Sequence, residues 1–211
     1  EPAEGQPDHA TAENKNSRLD LRKAGILLHP TSLWGENGKE KKDAAKEWID
    51  FLTAAGQKIW QILPLIPRGL GDSPYLSVSA FAGHETLFAG TEEKNCGSTK
   101  KALGSVNKNI KAEEQQKYLA FCQKNSYWLP DYALFRALQD YFHKPWQEWP
   151  EEIRTRQSAA VKKYEILMEK QTEIYKRKQF EFFCAWQDIK AYANANEIEI
   201  LGDMPIFVAA D

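Results

Sequence analysis

The sequence has 211 residues, 42% hydrophobic and 27% charged, with a net charge of −2. That composition suits a globular chain with one good core or two small ones, and it gives no electrostatic reason to expect nucleic acid. No apolar run approaches the roughly 18 residues of a membrane span.

The three cysteines, Cys96, Cys122 and Cys184, are far apart and form no CxxC. This argues against a disulfide framework or zinc site and favours a reducing compartment. The four histidines show no metal-ligand spacing, so neither metal nor cofactor is expected. Aromatic residues reach 12%, with seven tryptophans, and flat aromatic faces suit sugar rings.

In chain order, residues 1–22 are polar, with two prolines, and predict a disordered arm without the apolar region of a signal peptide. The run AGILLHP (24–30) reads as a buried strand ending in a loop. Ala44, Trp48, Phe51, Leu52 and Ala55 then recur on one helical face, stopped by Gly56. A second apolar run, KIWQILPL (58–65), completes the order strand, helix, strand of a βαβ unit with parallel pairing. The loop that follows is rich in glycine and proline and leaves the strand's carboxyl end, where ligands of parallel sheets bind.

Residues 90–109 are polar and loop-like. Helices are predicted over about 111–125 and 131–143, and one long helix over about 157–195, with Phe182, Trp186, Ile189 and Ala193 on one face. The last stretch, IEILGDMPIFVAAD (198–211), is a third strand broken by Gly202 and Asp203. The predicted organisation is therefore an arm (1–22), two strands with their helix (23–84), an inserted helical subdomain (85–195) and a third strand (196–211).

The common catalytic signatures GxGxxG, GxxxxGK[ST] and GxSxG are missing from the sequence. What remains is a polar or aromatic residue after each strand: His29 and Ser32, then Asp72, Ser73 and Tyr75, then Asp203 and Asp211. Three loops of one sheet edge, each carrying such a group, is how parallel α/β enzymes assemble a site. The plainer alternative for Ser73-Pro74-Tyr75 is a rigid turn with a packed tyrosine, and for Asp203 a loop cap.

The strings AGILLHPTSL (24–33), GQKIWQILPL (56–65), GDSPYLSVSAFAG (71–83) and ILGDMPIFVAAD (200–211) closely resemble the amylomaltases. These are 4-α-glucanotransferases of glycoside hydrolase family seventy-seven, in the α-amylase clan. WLPDYALFRAL (128–138), the Trp146/Trp149 pair and AWQDIKAYAN (185–194) also resemble that family's helical region. WGENGKEKKD (34–43) departs from the family's Pro/Gly-rich loop, His84 stands where Asn is usual, and Ala185 where Gln is usual.

The resemblance implies an α/β fold comprising the first three strands of a TIM (β/α)8 barrel, with a large helical insertion between strands two and three. It implies retaining double displacement on α-1,4-glucans or maltooligosaccharides, without nucleic acid or membrane partners, in the cytoplasm or a plastid. In that chemistry one carboxylate forms a glycosyl-enzyme while a second, about 5–5.5 Å away, acts as acid and then base. By the resemblance, Tyr75 lies beside the donor sugar, and Asp203, or less directly Asp211, is the acidic residue near the catalytic centre. Asp72 and Ser73 are candidate groove hydrogen-bonders. The family's nucleophile and acid/base lie on later strands, so the 211-residue piece alone is expected to be inactive. Two other readings are a non-catalytic glucan-binding or interaction module, and a hydrolase of the same clan.

Overall fold

The structure is a computed structural model that describes residues 22–33, 41–67, 69, 73–88 and 112–205. The expectations for the arm and for the 90–109 segment lie outside the described residues, apart from Arg22.

Three short strands, β1 (Gly25–Leu27), β2 (Ile59–Gln61) and β3 (Glu199–Leu201), form a parallel sheet in the order β1-β2-β3. The register sets Ile26, Trp60 and Ile200 side by side, and Leu27, Gln61 and Leu201 in the next row. Alternation along a strand sends the two rows to opposite faces. The Trp60 row packs into the main core, with Trp60 fully buried and its indole N–H donating to Leu28 O at 2.7 Å. Leu27 and Leu201 are each 52% exposed. The expectation of a buried strand at 24–30 is thus corrected for this chain: Ile26 is half-buried and Leu27 exposed, because among the described residues helices cover one side of the sheet.

Helix α1 (Lys41–Ala54) joins β1 to β2. Its buried stripe is Ala45, Ile49 and Leu52, spaced i, i+4, i+7, with Ile49 and Leu52 each contributing up to about 1.5–3 kcal/mol by leaving water. The predicted stripe through Phe51 and Ala55 is rotated from this one. Phe51 is 54% exposed and stacks on Trp48 at 5.2 Å, because Ile49, two residues earlier and so on the opposite side of the helix, faces the core. The helix stops as the glycine predicted: Gly56 has φ +68°, Gly56 N–H donates to Thr53 O and Gln57 N–H to Leu52 O. These two bonds are the Schellman pattern, which requires a left-handed residue at that point.

Between β2 and β3 run α2 (Ala112–Lys124), α3 (Leu129–Phe142), the single turn α4 (Glu151–Arg154), α5 (Ser158–Leu167) and α6 (Glu169–Ala195). The single helix expected over 157–195 is two helices. Met168, at φ −101° and ψ 11°, breaks the path, and each half buries its own side chains. The amino-terminal half of α6 packs with α3, α4 and α5 through Tyr175, Leu138, Ile153 and Tyr164. Its carboxyl-terminal half enters the core under the sheet through Phe182, Ile189 and Ala193. One rigid rod therefore belongs to both cores. It ends in a second Schellman pair, Glu197 N–H to Asn194 O and Ile198 N–H to Ala193 O, and the chain passes directly into β3.

Candidate functional site

Parallel pairing places the loops after β1, β2 and β3 at the same edge of the sheet. The loop after β2 is held by backbone and serine bonds. His84 N–H donates to Leu65 O at 2.9 Å, and Gly69 N–H to Leu76 O at 2.8 Å. The buried Ser77 hydroxyl lies 2.8 Å from Pro67 O and 2.7 Å from Ser79 O, so its one proton is shared between them. The Ser79 hydroxyl accepts from the N–H groups of Phe81 and Ala82.

At the tip of this loop, Leu76 N–H donates to Ser73 O and Tyr75 N–H to the Ser73 hydroxyl at 3.3 Å. Ser73 and Pro74 thus make the rigid turn that the plainer reading anticipated, and Tyr75 stands on it with 44% of its surface exposed. Its phenol donates to Asp203 Oδ2 at 2.7 Å. Asp203 comes from the loop after β3 and caps that loop with its other oxygen, accepting Met204 N–H at 2.8 Å. Asp203 is thus the loop cap that the plainer reading anticipated, and its other oxygen receives the Tyr75 phenol. The bond to Asp203, then burial, raises the Tyr75 pKa above that of an ordinary phenol, because ionising it would set two anions in contact.

Of the sequence candidates, the structure brings Ser73, Tyr75 and Asp203 together. Asp72 and Asp211 lie outside the described residues. His29 is half-buried at the start of the short turn Pro30–Ser32 after β1. With the remaining lone pairs of its carboxylate open to solvent, Asp203 can accept hydroxyl protons beside the Tyr75 ring.

Sequence reading missed the polar network that ties Glu85, at the end of the loop after β2, to α3. Glu85 accepts the Tyr132 phenol at 2.6 Å and pairs with Arg136, whose Nε lies 3.4 Å from Oε1. That separation is an ion pair rather than a good hydrogen bond. Tyr175 donates to Asp140 at 2.6 Å, and the Arg136 guanidinium sits over the Tyr175 ring. Burial, reinforced by the Glu85 charge, pushes the Tyr132 phenol well above its ordinary value. Burial is the largest single influence on Arg136 and opposes its charge, but Glu85 together with Tyr132, Tyr175 and Asp140 outweighs it and the net shift is upward. The signal was a polar row at i, i+4, i+8 (Tyr132, Arg136, Asp140), a spacing that sets the three on one helix face.

A second unforeseen tie is made by Gln179 of α6, which is 0% exposed. Gly83 N–H donates to its Oε1 and its Nε2 donates to Gly83 O, both at 2.8 Å.

Fold and site together define a parallel α/β protein with an aromatic and acidic cluster on the loops that follow adjacent strands. The chain belongs to the 4-alpha-glucanotransferase family, whose model matches residues 28–94 and 91–211. A 4-alpha-glucanotransferase of Synechocystis is 36% identical over 92% of this chain, and one of Thermus thermophilus is equally so. The 4-alpha-glucanotransferase DPE1, chloroplastic/amyloplastic, of Arabidopsis thaliana is 31% identical over 89% of the chain. The chain spans 44% of the length of the two bacterial relatives and 38% of the plant one. Among solved structures, the amylomaltase of Streptococcus agalactiae in complex with acarbose superposes with a TM-score of 0.79 at 30% identity, over 90% of this chain and 45% of that one. The amylomaltase of Corynebacterium glutamicum, 13% identical with a TM-score of 0.69 over 92% of this chain and 32% of that one, shares the fold. Among the described residues no helix is long and apolar enough to cross a membrane.

Proposed function

We propose that the whole protein transfers α-1,4-glucan segments between maltodextrins by retaining double displacement, and that this chain supplies one wall of its sugar groove. The observation that carries the reading is the 2.7 Å bond from Tyr75 to Asp203, which joins the loops after β2 and β3 in a chain of this family. In this reading the Tyr75 ring packs beside a bound sugar, Asp203 accepts a sugar hydroxyl, and Ser73, Asp72 and Asp211 contribute further hydrogen bonds. The relative bound to acarbose supports an oligosaccharide as the ligand.

The same reading makes β1, β2 and β3 the first strands of a (β/α)8 barrel. Helices on one face and exposed Leu27 and Leu201 on the other support it, since barrel interiors are filled by layers of such side chains. Residues 85–195 are then an insertion between the second and third strands, and residues 1–22 an arm. The protein works in the cytoplasm or, as the plant relatives' names suggest for them, in a plastid.

Incubation of the whole protein with maltotriose tests this. Glucose together with longer maltodextrins is the expected product set. Glucose and maltose alone would mean a hydrolase, and sugar binding without turnover would mean a binding module.

A further inference from the structure

The Tyr75–Asp203 bond lies at the surface, where one hydrogen bond cannot hold two loops in register against water. Something buried must set their separation. The bonds from His84 to Leu65 and from Ser77 to Pro67 tie the Tyr75 loop only to the end of β2, the strand it leaves. On the β3 side the loop is hydrogen-bonded by the Gln179 amide, beside the stacking of Phe88 on Phe182 and Trp186. The amide grips both backbone groups of Gly83 in a two-bond ring, in the manner of one strand pairing with another.

Gly83 makes the grip possible. A Cβ there would lie 1.9 Å from the Phe182 ring, so only a glycine lets the loop backbone rest on the helix. From Gln179 the chain runs through the rest of α6 and the bonded turn at Glu197 into β3, with Asp203 two residues beyond the strand. Gln179 and Asp203 thus lie on one stretch of chain that is helix, bonded turn and strand up to Leu201, and Gly83 and Tyr75 on one internally bonded loop.

We infer that Gln179 is a positioning residue that sets the spacing between Tyr75 and Asp203 by clamping the loop after β2 to the helix that delivers β3. The consequence for sugar binding rests on the proposed glucan function; the consequence for the pair does not. Groups that present a ligand are commonly held by such buried partners, because a site loosened by an ångström loses its binding geometry.

Gln179→Met keeps the side-chain length and removes both bonds. Leu138→Ala, which opens a cavity in the distant α3–α5 core, is the control for simple destabilisation. The readout is the ring carbon signal of Tyr75, assigned with Tyr75→Phe and followed against pH. In the parent protein Tyr75 titrates above an ordinary phenol; in Gln179→Met its titration is expected to fall to that of Asp203→Asn, and in Leu138→Ala to stay. Acarbose affinity of the whole protein is expected to drop about tenfold in Gln179→Met, the scale of one hydrogen bond, and to hold in the control.

An unchanged Tyr75 signal in a folded Gln179→Met protein overturns the inference. A shifted signal without any acarbose binding by the parent protein supports the clamp and defeats the glucan reading, so the two failures are separable. Should Gln179→Met not fold, amide exchange in the parent protein decides. Gly83 is expected to exchange as slowly as the buried amides of α6, and exchange at the rate of an open loop overturns the clamp.

Discussion

Gly83→Ala adds a single methyl group, and the structure sets a steep cost for it. The new carbon would sit 1.9 Å from Phe182 Cε1 and 2.0 Å from Cδ1, where carbon–carbon contacts settle near 3.5–4.0 Å. The ring cannot simply turn away. It is buried, 5.7 Å from Phe88 and 5.3 Å from Phe183 between centroids, and both neighbours are packed in turn. Overpacking of this kind costs about 1–3 kcal/mol. If the loop moves instead, both Gln179 bonds break and leave buried groups unpaired, each about 1–3 kcal/mol. We therefore expect a loss of about 3–5 kcal/mol in chemical denaturation followed by tryptophan fluorescence.

A double-mutant cycle identifies the cause. Phe182→Ala alone should cost about 3–5 kcal/mol, and the double variant about 2 kcal/mol less than the sum, because the truncated ring vacates the methyl's place. Additivity within about 0.5 kcal/mol, or a Gly83→Ala cost under about 1 kcal/mol, would refute the reasoning.

Gly56→Ala meets no atom within 4 Å but must hold φ +68°, so the same denaturation assay should show a loss of about 1 kcal/mol that is conformational alone. Glu85→Gln keeps an acceptor for Tyr132 and leaves the mostly buried Arg136 guanidinium without its counter-charge. A loss of about 3 kcal/mol is expected, and removing both charges with Arg136→Met should recover part of it. The Tyr75 phenol has its folded pKa raised above the ordinary value. Whatever the pair contributes is present below about pH 10 and lost as pH rises through the folded pKa. Difference absorbance of Tyr75→Phe against the parent should show that late titration, and Asp203→Asn should bring it back toward pH 10.

Much of this protein was legible in its sequence because the signals are local. Continuous apolar runs near 24–30, 58–65 and 198–201 announced three strands, and each became one, though pairing fixed them to three residues apiece. Gly56 announced the end of α1 because only its backbone conformation was required there. The four motif strings led to the family because they carry chemistry in order along the chain. Periodicity was less reliable where two stripes compete. The helix α1 holds apolar residues around most of its circumference, and only contact with the sheet selected Ile49 over Phe51 as the buried one.

The supports of the site were invisible for a physical reason. Gln179 and Gly83 lie 96 positions apart, and Tyr75 and Asp203 lie 128 apart. No local pattern distinguishes a buried glutamine from a solvated one in the Lys- and Glu-rich sequence of α6. The break at Met168 was equally hidden, since nothing between residues 157 and 195 is a helix breaker. By itself, the sequence determined the three strands, the helix between the first two and the family they belong to, because those follow from neighbours along the chain. Tertiary structure decided which oxygen of Asp203 caps its loop and which receives Tyr75, and which amide ties the two loops together. Such choices depend on the distance between surfaces that only the packed helix α6 brings within reach.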